Sequence, residues 1–316
     1  MTSPVFIGLI CGVASALAYA SLATQTPLAF GLFLFAPLGL FVAGLGWGGL
    51  LGLFAMSAGA ALSGFLLGGS GAVGFALIVG LTPVVSCFAA ERGAFAADDA
   101  PPATPLSPGA LVAVSVSCAA VVAAALMELA GVSEPQFREQ MSEFFKQENV
   151  RDMIGLAAAS PELFEQTLDI TVSLILPAMT GAILTILMLL NFWAAASILR
   201  RSGRLMRPWP DLAVMRYPNG LAIAAILATA FAFASGGQQM YAAAAAGALL
   251  AAYFIMGMIV VRALASALPF RTLALAIVWA SLIFLTWPAF LLIAATGLAD
   301  QFFNLRGVGD EPTSAS

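Results

Sequence analysis

Residues 27–90 read PLAFGLFLFAPLGLFVAGLGWGGLLGLFAMSAGAALSGFLLGGSGAVGFALIVGLTPVVSCFAA, with no Asp, Glu, Lys, Arg or His among them. The hydrocarbon core of a bilayer is about 30 Å thick, and a helix needs about 20 apolar residues to cross it. The stretch is therefore long enough for roughly three crossings. Its internal punctuation is weak: glycines at Gly44–Gly52, then Gly68-Gly69-Ser70-Gly71. Two crossings with a re-entrant piece fit nearly as well as three.

The rest of the chain repeats this pattern. Hydrophobic residues make up 61% of the sequence and charged residues 9%, against about 25% charged in a soluble domain. A water-soluble fold could not cover so much apolar surface. Continuous runs, rather than alternating apolar and polar positions, exclude a β-barrel. The expected fold is an all-α, polytopic transmembrane helix bundle of about eight or nine spans. They fall near 5–24, 27–46, 48–69, 71–90, 109–130, 168–199, 219–235, 240–262 and 272–297. Met1–Pro4 lacks the basic residues of a cleavable signal, so Val5–Ala23 is read as a retained first span.

Organisation follows from the polar interruptions. Residues 1–130 form an N-terminal set of about five spans, broken by a proline-rich linker at 91–108. Residues 131–167 form a polar segment. Residues 168–306 form a C-terminal set of about four spans, with a basic loop at 200–218, and 307–316 are read as a disordered tail. Ser107-Pro108 and Ser160-Pro161 have the N-cap and first-turn residues of helix starts. From Pro161 to Leu199 one helix would be about 60 Å long, so it must project, tilt or kink at Pro177. Gly8, Gly12 and Ala16 share a helical row, as do Gly44, Gly48 and Gly52. Such rows let helix backbones approach closely.

Segment 131–167 contains an amphipathic helix. Ser133-Glu134-Pro135-Gln136 has the spacing of a capping box. Phe137, Met141, Phe144 and Phe145 follow at helical spacing, opposite Arg138, Glu139, Glu143 and Lys146. Phe137, Met141 and Phe144 are expected to pack on the bundle mouth or the lipid surface.

Arginines set the orientation. Arg200, Arg201, Arg204, Arg207 and Arg216 crowd one loop, and such loops remain cytoplasmic. Segment 131–167 then lies outside. Nine spans put the N-terminus inside and the C-terminus outside, unless Leu273–Gly297 is a hairpin broken at Pro288. The expected location is the bacterial cytoplasmic membrane. Arg200, Arg201 and Arg204 are an inner docking surface.

Chemistry-bearing residues are few. Histidine is absent and Lys146 is the single lysine. Cys11, Cys87 and Cys118 lie in apolar runs without metal-ligand spacing. No nucleophilic triad, metal motif, paired carboxylate motif or phosphate loop is present. The chain is read as a non-enzyme with no catalytic residue, metal or cofactor, and without a nucleic-acid partner. Polar residues inside spans default to functional hypotheses. Ser173, Pro177, Thr180 and Asn191 share one face of the 168–199 span, where a polar solute could bond Asn191 and a carbonyl freed by Pro177. Glu128, near the outer end of its span, is a further ligand candidate. Asp300 and Arg306, six residues apart, could pair across a broken turn, or each could meet a different loop.

The stretch Gly297-Leu298-Ala299-Asp300-Gln301-Phe302-Phe303-Asn304-Leu305-Arg306 resembles the terminal signature of the YybS-like membrane proteins, a bacterial family of unknown function. So does the middle block: Leu176-Pro177 opening a long span, Asn191 late in it, then Arg200–Pro218. That family is considered similar to the substrate-binding S-components of energy-coupling-factor vitamin transporters. The resemblance implies a helical bundle that binds a small molecule, and supplies no ligand residues. The leading expectation is a small-solute-binding transport component in contact with the lipid bilayer. The rival is a scaffold or envelope-assembly factor that docks a membrane protein partner.

Overall fold

Helices form every regular element among the described residues, which in this computed structural model are 3–91, 107–132, 135–147, 160–205, 215–234, 238–266 and 268–307. In chain order they are α1 Pro4–Ala20, α2 Pro27–Leu34, α3 Ala36–Trp47, α4 Gly49–Leu67, α5 Gly69–Gly74 and α6 Thr82–Glu91. There follow α7 Pro108–Leu129, α8 Pro135–Lys146, α9 Pro161–Ile170, α10 Leu176–Arg201, α11 Asn219–Ala232, α12 Gln239–Ser266, α13 Arg271–Leu285 and α14 Trp287–Phe303. Among the described residues, seven continuous or nearly continuous helical stretches are long and apolar enough to cross a bilayer. Three shorter apolar helices, α11, α13 and α14, accompany them.

The stretch 27–90 resolves into three crossings. Gly48 (φ 107°) and Gly68 (φ 83°) make the two turns, backbone that side chains with a Cβ rarely adopt. Gly44 and Gly52 therefore do not share a row of one helix. They face each other across the Gly48 turn, where a Cβ on Gly52 would lie 3.2 Å from the Gly44 Cα. Gly8 and Gly12 do use their spacing as expected, against Leu51, Phe54 and Ala55 of α4.

Prolines explain the irregular helices. Pro37 offers no N–H and its ring crowds the carbonyl four residues back, so the helix begun at Pro27 stops at Leu34. Leu38 N–H turns to Phe35 O at 3.0 Å, leaving the Leu34 carbonyl without its helical donor. Pro83 and Pro177 are handled differently. Each follows a π-turn, Phe75–Leu81 and Thr171–Ile175, whose wider ring absorbs the missing hydrogen bond. The helix from Pro161 to Arg201 thereby continues through Pro177. Ser107 and Ser160 cap their helices as expected, accepting from Ala110 N and Leu163 N.

Two packed groups of helices result. In the first, Ala16, Ala36, Leu40, Ala43, Ala55, Phe75 and Val79 form the buried centre of α1–α6. In the second, α12 is central, packed by α7, α10, α11 and α14. Small residues set the spacing: a Cβ on Gly181 would collide with Ala244 O, and one on Gly257 with Ile293 O. The groups meet where Phe41, Leu45, Cys87 and Ala90 bury against Met188, Ala195, Ala196 and Leu199.

Residues 272–297 are not one span. The helix breaks at Thr286 (φ 36°, ψ −87°), and α13 buries no residue while α14 buries five. The far end of α14 lies beside residues 215–219: Gln301 Nε2 donates to Tyr217 O (2.9 Å) and Asn219 Oδ1 (2.7 Å). Residues 300–306 therefore share an end of the bundle with the arginine loop. This corrects the nine-span count, which put them at the opposite end, in favour of the alternative in which Leu273–Gly297 is a hairpin. Pro288, in the first turn of α14, is the mark of the break in the sequence, and the break itself falls two residues earlier at Thr286.

Candidate functional site

Asn191 lies on α10 where that helix crosses the α2–α3 break. It is 4% exposed. Its Nδ2 donates to Leu34 O and Leu187 O, each at 2.8 Å. The first acceptor is the carbonyl that the break leaves over; the second is the helical carbonyl one turn back. Leu34 lies seven residues into its helix, about 10 Å along, well within an about 30 Å hydrocarbon core. The amide orientation follows from the neighbours, since an oxygen facing two carbonyls would be repelled. Its Oδ1 is consequently turned away, buried and without a hydrogen-bond partner. An unsatisfied buried acceptor is costly, and more so in hydrocarbon.

The other residues of the expected polar face are not gathered here. Thr180 and Ser173 bond back to Leu176 O (2.9 Å) and Asp169 O (2.7 Å) on their own helix. They stand eleven and eighteen residues from Asn191, about 16 and 27 Å along the axis. Glu128 is at the far end of α7, exposed, and accepts from the Tyr241 hydroxyl.

A second polar centre lies at the arginine end. Arg306 donates to Asp300 from Nε (3.0 Å) and Nη2 (2.8 Å), and from its backbone N–H (3.2 Å). Nη2 also reaches Met215 O at 2.9 Å. Arg216 bonds the Asn304 side chain. Asn304 itself adopts a left-handed conformation (φ 49°) that ends α14, a helix-stop habit of Asn. Burial pushes the Tyr217 phenol above its ordinary value, so it stays a donor to Ala252 O (3.1 Å). This is a structural lock: the Asp300 carboxylate accepts three hydrogen bonds from Arg306.

At the opposite end, Phe137, Met141 and Phe145 pack with Met127, Val132, Leu168, Val172 and Met240. Phe145 rather than Phe144 completes the stripe; Phe144 is 46% exposed and meets Phe145 edge-on. Adjacent positions on a helix differ by about 100°, which decides between them. Arg138 bridges Asp169 (2.6 Å) and Glu165 (3.6 Å), tying α8 to α9. Asp169 holds the guanidinium further above its ordinary value. Of the arginines expected to form a docking surface, Arg204 lies 5.8 Å from the Trp47 ring centroid, and Arg200 and Arg201 are exposed at the end of α10. Ser133 and Glu134 of the expected capping box, Arg207 and 308–316 lie outside the described residues.

Asn191, Asp300 and Arg306 stand out in the sequence. Leu34, Met215, Tyr217 and Gln301 do not, and the first three act through backbone carbonyls that no side-chain pattern reveals. Pro37, three residues after Leu34, was the available signal for the break.

A family model described as predicted membrane protein (DUF2232) matches residues 12–301. No curated protein and no solved structure matches the chain.

Proposed function

Since the chain belongs to that family of predicted membrane proteins, we propose that it is a small-solute-binding transport component of the bacterial cytoplasmic membrane, with the arginine end in the cytoplasm. The observation that carries the proposal is the unpartnered Asn191 Oδ1 beside the α2–α3 break. Transporters place substrate and ion sites near the bilayer midplane, at interrupted helices whose free backbone groups serve as ligands. Here an interrupted helix and an unsatisfied polar side chain coincide at that depth. They also lie between the two packed helix groups, where a relative movement would open them. The resemblance of 297–306 to YybS-like proteins, and through them to S-components, supports the same reading. Neither it nor the site calls for catalysis.

The test is thermal unfolding of the purified protein in detergent against a panel of vitamins, nucleobases, amino acids and sugars. Ligand that binds only the folded state raises the transition. At least one solute should stabilise the wild type and fail to stabilise Asn191→Leu, while Thr180→Val responds normally. Absence of any solute-dependent shift in the wild type would sink the proposal.

A scaffold or envelope-assembly role is the second reading. It is favoured by Phe144, an apolar side chain exposed beside Glu139, Gln140 and Glu143 on α8. A scaffold would co-purify with a stoichiometric membrane protein partner lost on Phe144→Ser.

A further inference from the structure

We infer that the α2–α3 break binds a dehydrated monovalent cation at Asn191, a step that rests on the solute-site reading above and gives the site its coupling ion. Leu34 O and Leu187 O both stand 2.8 Å from one atom, the Asn191 Nδ2. The side chain's other polar atom, Oδ1, has no partner and is buried. Rotation about the terminal torsion of asparagine, which is broad and nearly two-fold, exchanges the two atoms. Three oxygens then surround one point. Without an ion they repel one another, and the amide N–H₂ fills the gap. With an ion they are its ligands and the orphaned acceptor gains a partner, while the two amide N–H groups give up Leu34 O and Leu187 O, a cost that the ion–oxygen contacts must exceed. One side chain therefore serves two states.

The charge of the ligand follows from its surroundings. All three groups offer oxygen lone pairs, which excludes an anion. Leu34 ends α2, so its carbonyl lies at the negative end of a helix dipole. No carboxylate touches Asn191 in the hydrogen bonds it makes. Among the described residues the buried carboxylate is Asp300, and Arg306 holds it. Neutral oxygens can replace the hydration of a singly charged ion, as rings of backbone carbonyls do in selective channels. A divalent ion would carry twice the charge into hydrocarbon with no anionic ligand, where the desolvation penalty dominates. Water or the transported solute completes the coordination.

The experiment measures unfolding temperature in detergent at one ionic strength with sodium, potassium or N-methyl-D-glucamine chloride. Sodium or potassium should raise the transition of the wild type by a few degrees in a saturable manner. Asn191→Leu should abolish the rise. Asn191→Asp, which replaces the amide nitrogen by a second oxygen, should reach half-saturation at lower cation concentration. Should Asn191→Leu not fold, Asn191→Asp decides alone, and an unchanged or raised midpoint overturns the inference. Identical wild-type transitions in all three salts overturn it outright. Repeating the solute panel in each salt separates the two claims. A solute shift that survives in N-methyl-D-glucamine with no sodium or potassium effect ends the cation inference and leaves the transport reading standing. A cation effect with no solute shift in any salt does the reverse to the transport reading.

Discussion

Arg306 encloses the carboxylate of Asp300 six residues earlier, and their side chains are 2% and 3% exposed. The pair closes over the end of α14 and reaches Met215 on a distant segment. Removing one partner of such a pair leaves a buried charge, whereas removing both with apolar replacements can be neutral.

Asp300→Ala and Arg306→Ala are each expected to lower stability by about 3–5 kcal/mol. The double variant Asp300→Leu/Arg306→Met should recover most of that loss. Thermal melts of the four proteins measure the coupling; additive losses would show that the two residues act independently.

The close crossings predict a glycine pattern. A Cβ at Gly257 collides with the Ile293 backbone, while one at Gly220 meets nothing within 4 Å. Gly257→Ala should therefore destabilise the protein. Gly220→Ala should be neutral or gain up to about 1 kcal/mol from helix propensity. Equal melting of the two variants would contradict the packing between α12 and α14.

The attachment of α8 is expected to depend on Phe137, Met141 and Phe145. Replacing all three with Ser should expose α8 to added protease, and Phe144→Ser should not. Equal protection of both variants would show that the apolar stripe is not what holds the helix.

Topology has a direct reading. In a cysteine-free background, Ser202→Cys and Leu305→Cys should both resist an impermeant thiol reagent in intact cells, and Ser142→Cys should react. Opposite behaviour of Ser202→Cys and Leu305→Cys would refute the shared end.

The helical bundle was legible because hydrocarbon imposes a length and a polarity that composition alone can meet. The caps at Ser107 and Ser160 were legible because they are local. For Asp300 and Arg306 the spacing allowed a pair or contacts with two different loops, and the left-handed turn at Asn304 decides for the pair. The partner of Asn191 could not: Leu34 is 157 positions away, and it offers a carbonyl that every residue possesses. The face shared by Ser173, Thr180 and Asn191 was real as geometry, yet two of its hydroxyls bond inside their own helix. Helical periodicity shows which way a side chain points and nothing of whether a nearer acceptor already holds it. The break at Thr286 was marked only by Pro288 beside it, because hydropathy registers what residues dissolve in and not the angle at which they turn.

The seal between 215–219 and 300–306 has a consequence for biosynthesis. Chains leave the ribosome from the N-terminus at about 5–20 residues per second. The contacts Arg306–Met215, Arg216–Asn304 and Gln301–Tyr217 span 91, 88 and 84 positions. Met215 and Tyr217 must therefore wait on the order of 4–18 s for their partners to be made. During that interval α11 and α12 are inserted while the polar groups at their base stay open to water or to a chaperone. A nascent chain halted before Asp300 would lack all three contacts and keep that base open.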